Sequence, residues 1–242
     1  MSVRRFFIAA PPRQGRALLE GSEAHHALHV VRLRPGDPAV LFDGTGMEYR
    51  TEVEELGRRS VVLRVVSSEQ VEHPPAVRLM LLCSAVKPKA MDLIVQKSTE
   101  LGVSELWPCL TRRTAVRLLP DDESQAAKWR RTAIEAAKQC GRNLLPVIKP
   151  VRRLDDVLYE ARNCTRRLLL SLSPGARPLR EELVDSPPAC LCVLVGPEGC
   201  LEKFEEQTAL DAGFSLVSLG PYTLRTETAA LAIAAAVLAL YQ

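Results

Sequence analysis

Residues 191–199 read LCVLVGPEG: five apolar positions, Leu191 to Val195, run without a break into Gly196-Pro197-Glu198-Gly199. An unbroken apolar run leaves no face for solvent, which is the condition of a strand covered on both sides in a parallel sheet. The glycines that follow permit a tight turn and a close approach of backbone to a ligand. Working outward, residues 77–83, 167–172, 189–195 and 214–219 are apolar runs of the same kind, and 105–108 is a shorter one. Helical spacing lies between them over 91–101, which stops at Gly102, and over 124–140, which stops at Gly141. Further helices are predicted over 201–212 and 226–240. Strands alternating with helices imply an α/β domain with a mainly parallel sheet.

The first 70 residues follow another pattern. Short candidate strands at 5–8, 39–42, 49–54 and 60–66 are separated by the turn signals Pro35-Gly36-Asp37 and Asp43-Gly44-Thr45-Gly46. One helix is predicted over 23–32, with Ser22 as its N-cap and Glu23 in its first turn. This is the inventory of a small β-barrel with a helix. Residues 67–75 end in Pro74-Pro75 and read as a linker, so the domains are placed at 1–72 and 73–242.

Composition bounds the function classes. With 47% hydrophobic and 25% charged residues in 242 positions, the chain is far from a disordered one. Its longest apolar candidate, 229–241, falls short of the roughly 18 residues a membrane span needs and reads as a buried helix. The opening MSVRRFF does not resemble a signal peptide, so a cytoplasmic location is expected. The seven cysteines lie mostly in apolar runs and none forms CxxC, so they are read as small buried hydrophobes rather than as a metal site or redox pair. His25, His26 and His29 resemble a metal cluster but have no carboxylate or cysteine at ligand spacing. A structural or RNA-contacting helix is the better reading, and no metal is expected.

Charge is uneven. The net +3 conceals a neutral first third, a local +8 over 76–167 and a local −5 over 168–242. A basic middle suits a surface that meets a polyanion, although a solvated basic face gives the same count. Lys87 and Lys89, Arg112 and Arg113 follow strands, while Arg130, Arg131, Lys138 and Arg142 lie on or beside one long helix. Such side chains can position RNA phosphates. Aromatics are only 5% of the chain, which argues against a base-stacking sheet.

Chemistry is expected beyond the carboxyl ends of the parallel strands. The Gly196–Gly199 loop is one such place. It has neither GxGxxG nor a P-loop, so no phosphate cradle is indicated, and a plain strand–turn–helix junction is its simpler reading. The second is SLGPYTLRTET, residues 218–228. There Thr226 suits an N-cap and Glu227 the positive end of a helix dipole. Arg225 is not explained that way: a cation at a helix N-terminus opposes the dipole, so it is read as facing an anion or a ligand.

These segments together resemble a known family. KPKAMDLIVQKSTELGV (87–103), EAAKQCGR (135–142), VGPEG (195–199) and SLGPYTLRTETA (218–229) are similar, in order, to the small-subunit ribosomal RNA uridine-N3 methyltransferases of the SPOUT superfamily. Arg4-Arg5-Phe6-Phe7 and His29-Val30-Val31-Arg32 are similar as well. The resemblance spans almost the whole chain. It implies a PUA-like N-terminal β-barrel that binds RNA, and a SPOUT domain whose C-terminal half is tied in a deep trefoil knot. It further implies a homodimer acting on 16S ribosomal RNA, with S-adenosylmethionine held in the knot loops. Its cofactor residues here would be Leu172, Val195, Gly196, Pro197, Glu198, Gly199, Ser218, Leu219, Gly220, Leu224, Arg225 and Thr226. Its RNA contacts would include Arg4, Arg5, Arg32, Lys87, Lys89, Arg112, Arg113 and Arg142. The chain departs from the family at Cys200, where a glycine is usual, at Leu201 in place of phenylalanine, and in the Tyr222-Thr223 pair.

A methyl donor of this kind is already electrophilic, whereas uracil N3 carries a proton and is a poor nucleophile until that proton leaves. Arg225 is the candidate to stabilise the charge that develops on the ring, and Glu198 and Glu227 are the candidate bases. The uracil must be unpaired or flipped to be reached. Three alternatives remain open on sequence: another RNA position, an RNA-binding assembly factor without chemistry, and, least supported, a nucleotide-dependent dehydrogenase.

Overall fold

A computed structural model describes residues 4–183 and 186–241. The chain divides into two compact units, 1–74 with 137–145, and 75–136 with 146–242.

The first unit is a curled five-stranded sheet in the order β1-β3-β4-β5-β2. Its strands are β1 (Arg5–Phe7), β2 (Arg16–Leu19), β3 (Pro38–Phe42), β4 (Met47–Leu56) and β5 (Val61–Gln70). All pairs are antiparallel except β1 with β3. Phe6, Leu19, Leu41, Val53, Val61 and Leu63 fill one face and form the core with Ala24 and Ala27 of the helix. Three sequence expectations need correcting. The predicted linker begins too early: Ser67 to Gln70 remain in β5 and pair with Arg50 to Met47. Short β2 went unpredicted. Ser22 is not the N-cap, because the extended residue at the entry is Glu20 (φ −136, ψ 174), which leaves Ser22 inside the first turn of α1 (Gly21–His25). That helix continues as a π-helical stretch, His26–Val31.

Residues 137–145 join this unit through polar contacts. The Lys138 ammonium meets Glu23 at 2.9 Å with both side chains nearly buried. Glu72 accepts the backbone N–H groups of Asn143 and Leu144 and pairs with Arg142. Arg5 donates to Asn143 Oδ1 and to Glu48.

The second unit carries an eight-stranded, wholly parallel sheet. Its strands are β6 (Arg78–Ser84), β7 (Glu105–Leu110), β8 (Val147–Ile148), β9 (Arg152–Arg153), β10 (Arg166–Leu170), β11 (Arg177–Pro178), β12 (Cys190–Val195) and β13 (Ser215–Ser218). Helices α2 (Pro88–Glu100), α3 (Glu123–Cys140), α4 (Leu154–Glu160), α5 (Leu179–Glu182), α6 (Lys203–Asp211) and α7 (Thr226–Tyr241) accompany it. The two-sided burial read from the apolar runs is present. Leu79, Leu81 and Cys83 of β6 pack with Met91 and Ile94 of α2 and Ile233 of α7, whereas Met80 and Leu82 pack with Val157 of α4 and Ala209 of α6. Burying each such leucine contributes about 2 kcal/mol. Lys89, expected in a loop, lies in α2, whose first position is Pro88 and whose N-cap is Lys87. Pro at N1 costs nothing because that N–H has no helical acceptor.

Strand order in this sheet is β11-β13-β10-β12-β6-β7-β8, with β9 also on β7. The chain lays down β11, returns to add β12 beside β10, and then inserts β13 between β10 and β11. This interleaving suits the threaded C-terminal half that the resemblance implies. Cys164 and Cys190 form a disulfide, where the sequence reads as holding small buried hydrophobes. They lie 26 positions apart at the entries to adjacent strands, a proximity that spacing along the chain does not reveal. No helix among the described residues is long and apolar enough to cross a membrane.

Candidate functional site

Three adjacent strands, β13, β10 and β12, end at one side of the sheet, and the loops leaving their carboxyl ends line a cleft that opens to solvent. Ser171 and Leu172 follow β10, Gly196 to Glu198 follow β12, and Leu219, Gly220 and Tyr222 to Leu224 follow β13. A parallel sheet favours a site here because all its strands deliver their loops to the same edge. About half of the lining is aliphatic, chiefly leucine and valine. The polar part comes from the loop backbones, the hydroxyls of Ser171, Tyr222, Thr223 and Thr226, and two carboxylates, Glu198 and Glu206.

The Gly196–Gly199 loop is fixed at both ends. The Thr226 hydroxyl donates to the Gly196 carbonyl at 3.0 Å, and an Arg113 guanidinium N–H donates to the Gly199 carbonyl at 2.6 Å. Between them the Cys200 N–H closes a turn on the Pro197 carbonyl at 2.9 Å. Cys200 then takes φ 60, the left-handed region that favours glycine. A Cβ on Gly199 would stand 3.3 Å from Arg113 Cδ, so the arginine packs on the glycine as well as bonding to its carbonyl. Thr226 is therefore not the side-chain cap that local reading expects. It ties the start of α7 to a loop 30 positions earlier. The loop after β13 is self-braced, with the Ser218 hydroxyl accepting from the Gly220 N–H at 3.2 Å.

Of the predicted cofactor residues, Leu172, Val195, Gly196, Pro197, Glu198, Leu219, Gly220, Leu224 and Thr226 line the cleft, while Gly199, Ser218 and Arg225 border its loops without lining it. Sequence reasoning did not name Leu169, Leu201, Glu206, Val217 or Ala229 as lining residues. Glu206 had a faint signal, an acidic residue in the first turn of α6. The catalytic candidates are in distinct settings. Arg225 is exposed, with no side-chain partner among the described residues, so its charge is not spent internally. Glu198 is exposed on the cleft. Glu227 is outside the cleft lining: its Oε2 is buried without a hydrogen-bond donor, and its charge acts on the Cys83 thiol. Burial, reinforced by Glu227, pushes that thiol up to about 12.

The predicted RNA contacts divide similarly. Arg32, Lys87, Lys89 and Arg112 are exposed, and Arg4 is exposed beside Asp37. Arg5, Arg142 and Arg113 have partners within the protein: Glu48 and Asn143, Glu72, and the Gly199 carbonyl, with Arg113 still exposed. Positive charge along the sequence does not distinguish a solvent-facing arginine from one that braces a fold.

The profile of the RNA methyltransferase domain family matches residues 73–238, and that of the RNA methyltransferase PUA domain matches 19–66. The ribosomal RNA small subunit methyltransferase E of Aquifex aeolicus is 33% identical over 91% of this chain and 93% of its own. The chain belongs to this methyltransferase E family. Among solved family folds, the small subunit methyltransferase E of Neisseria gonorrhoeae, bound to S-adenosyl methionine, superimposes with a TM-score of 0.87 at 30% identity, covering 99% of this chain and 98% of that one. A Legionella pneumophila protein in complex with the cofactor SAM gives 0.89 at 29% identity over the same shares. The family assignment makes the curled N-terminal sheet a PUA domain and the parallel sheet a SPOUT methyltransferase fold.

Proposed function

We propose that the protein uses S-adenosylmethionine to methylate ribosomal RNA of the small subunit, and that its target is N3 of a uridine in 16S RNA. The observation that carries this reading is the convergence of three strand-end loops on one cleft, about half aliphatic in its lining, with an unspent cation and an exposed carboxylate beside it. Relatives aligned over nearly the whole chain, two of them solved with the methyl donor, supply its chemistry. The residues fit that group: aliphatic walls for the adenine, backbone loops for its edges, and carboxylates for its cationic part.

When bound, S-adenosylmethionine supplies an electrophilic methyl group. The protein's own work is to present a deprotonated N3. Glu198, at the cleft, is favoured over Glu227 as the group that takes the N3 proton, because the Glu227 carboxylate is turned into the interior beside Cys83. Arg225 stabilises the negative charge that spreads onto the uracil oxygens as the proton leaves. Exposed Lys87, Lys89 and Arg112 hold phosphates next to a base withdrawn from its stack, and exposed Arg32 gives the first unit an RNA contact of its own. The protein works as a cytoplasmic homodimer and needs no metal, since the donor is already activated.

Replacing Arg225 tests the assignment. Arg225→Ala is expected to lower kcat by about 100-fold or more while leaving the dissociation constant for S-adenosylmethionine unchanged. Full turnover in that variant would remove Arg225 from the chemistry. A matched pair, Glu198→Gln and Glu227→Gln, separates the two carboxylates by which one flattens the acid limb of the pH–rate profile.

A further inference from the structure

The cleft has a charge pattern that methyl transfer alone does not require. Among the described residues its lining contains two carboxylates, Glu198 and Glu206, and no lysine, arginine or histidine. Glu198 is free in solvent. Glu206 is not: the hydroxyls of Ser171 and Ser173 each donate to its carboxylate at 2.9 Å. Both serines are themselves held. The Ser171 N–H donates to the Val217 carbonyl at 2.9 Å, and the Ser173 N–H donates to Ser171 Oγ at 3.0 Å. No cation pairs with Glu206 among the described residues.

Two neutral hydroxyls orient a carboxylate and partly solvate it, but they do not cancel its charge. A fixed, unpaired negative group beside aliphatic walls interacts with a ligand charge more strongly than it would in water, and it spends nothing on reorganisation when the ligand arrives. A cationic ligand gains from it and a neutral one does not.

We propose that Glu206 selects the charge state of the adenosyl ligand, favouring the sulfonium donor over the neutral thioether that remains after methyl transfer. This rests on the reading of the cleft as the donor site. The donor carries one positive charge more than the product, and that charge disappears when the S–CH3 bond breaks and its electron pair stays on sulfur. Glu206 thereby helps the spent ligand leave and limits inhibition by product.

Calorimetric titration of the intact protein with three ligands tests this: S-adenosylmethionine, S-adenosylhomocysteine, and the analogue with an ammonium in place of the methylsulfonium. The wild type is expected to bind the two cationic ligands about tenfold more tightly than the thioether. Glu206→Gln, which preserves an acceptor for the serines, is expected to weaken both cationic ligands about tenfold and to change the thioether less than twofold. Equal or tighter binding of the thioether by the wild type overturns the proposal, and this result needs no variant. Equal weakening of all three ligands in Glu206→Gln overturns it too, since the three share the adenosyl packing and the α-ammonium and differ only in the charge at the sulfur position. A wild type that binds none of the three removes the cofactor reading itself, a result distinct from either.

Discussion

Holding a side chain other than glycine at positive φ costs on the order of 1 kcal/mol, and Cys200 does so at the rim of the cleft. Cys200→Gly is expected to stabilise the protein by up to about 1 kcal/mol, offset in part by the greater freedom of glycine in the unfolded chain. Urea denaturation measures the gain, and an unchanged or lowered midpoint would mean that the loop relaxes around cysteine without strain. The residue was conspicuous in the sequence only against the family's glycine, since no local rule marks a turn end three residues after a proline. Tyr49 offers a second test. Burial and its hydrogen bond to Asp43, 2.8 Å long, push its phenol up to about 12. A raised pKa favours the protonated form when folded, so this stability is complete below pH about 10 and is lost as pH rises toward about 12. Absorbance titration should find one late-ionising tyrosine that Tyr49→Phe abolishes. Uniform ionisation of all tyrosines near pH 10 would contradict it.

At the scale of elements, a single side chain both caps α6 and ties it to the loop after β7. Glu205, buried, accepts the Glu202 N–H at 2.9 Å to complete a capping box and the Arg112 N–H at 2.8 Å from the loop after β7. Removing it leaves two amides unpaired, so Glu205→Ala is expected to cost about 2–4 kcal/mol. It should also weaken donor binding, because α6 carries Glu206. A loss below 0.5 kcal/mol by denaturation would show that water replaces the carboxylate at no cost. The long parallel strands were legible because two-sided burial writes itself as an apolar run. β2 was not, being four residues between polar neighbours. Nor was α4, whose three buried positions, Leu154, Val157 and Leu158, make a single turn's pattern within a charged stretch. Thr226 shows the same limit at the site: its residue type and position predict a cap, while its bond is to a loop 30 positions away.

For the whole molecule, linear reading divided the chain near the Pro74-Pro75 signal, and the compact units also part there. It could not assign 137–145 to the first unit, because that depends on Glu23, Glu72 and Arg5 meeting residues 70 to more than 130 positions distant. The Cys164–Cys190 disulfide is long-range in the same way. Closing a loop of this length stabilises by about 3 kcal/mol in the chain-entropy account, so reductant should lower the urea midpoint of the wild type and leave Cys164→Ala unaffected. An identical midpoint with and without reductant would mean that the bond contributes nothing to the fold. The loops that form the cleft were legible as glycine-bearing segments after apolar strands, whereas the division of the arginines into those that brace the fold and those that face solvent needed three dimensions.

The central claim is a reaction, so the most direct measurement is of its product. The purified protein is incubated with isotopically methyl-labelled S-adenosylmethionine and small-subunit ribosomal RNA, both free and within the assembled subunit. The RNA is then digested to nucleosides and analysed by mass spectrometry. The account predicts label in N3-methyluridine and in no other nucleoside, and its loss with Arg225→Ala. Label in a different nucleoside, or none from an active preparation that binds the donor, would contradict it.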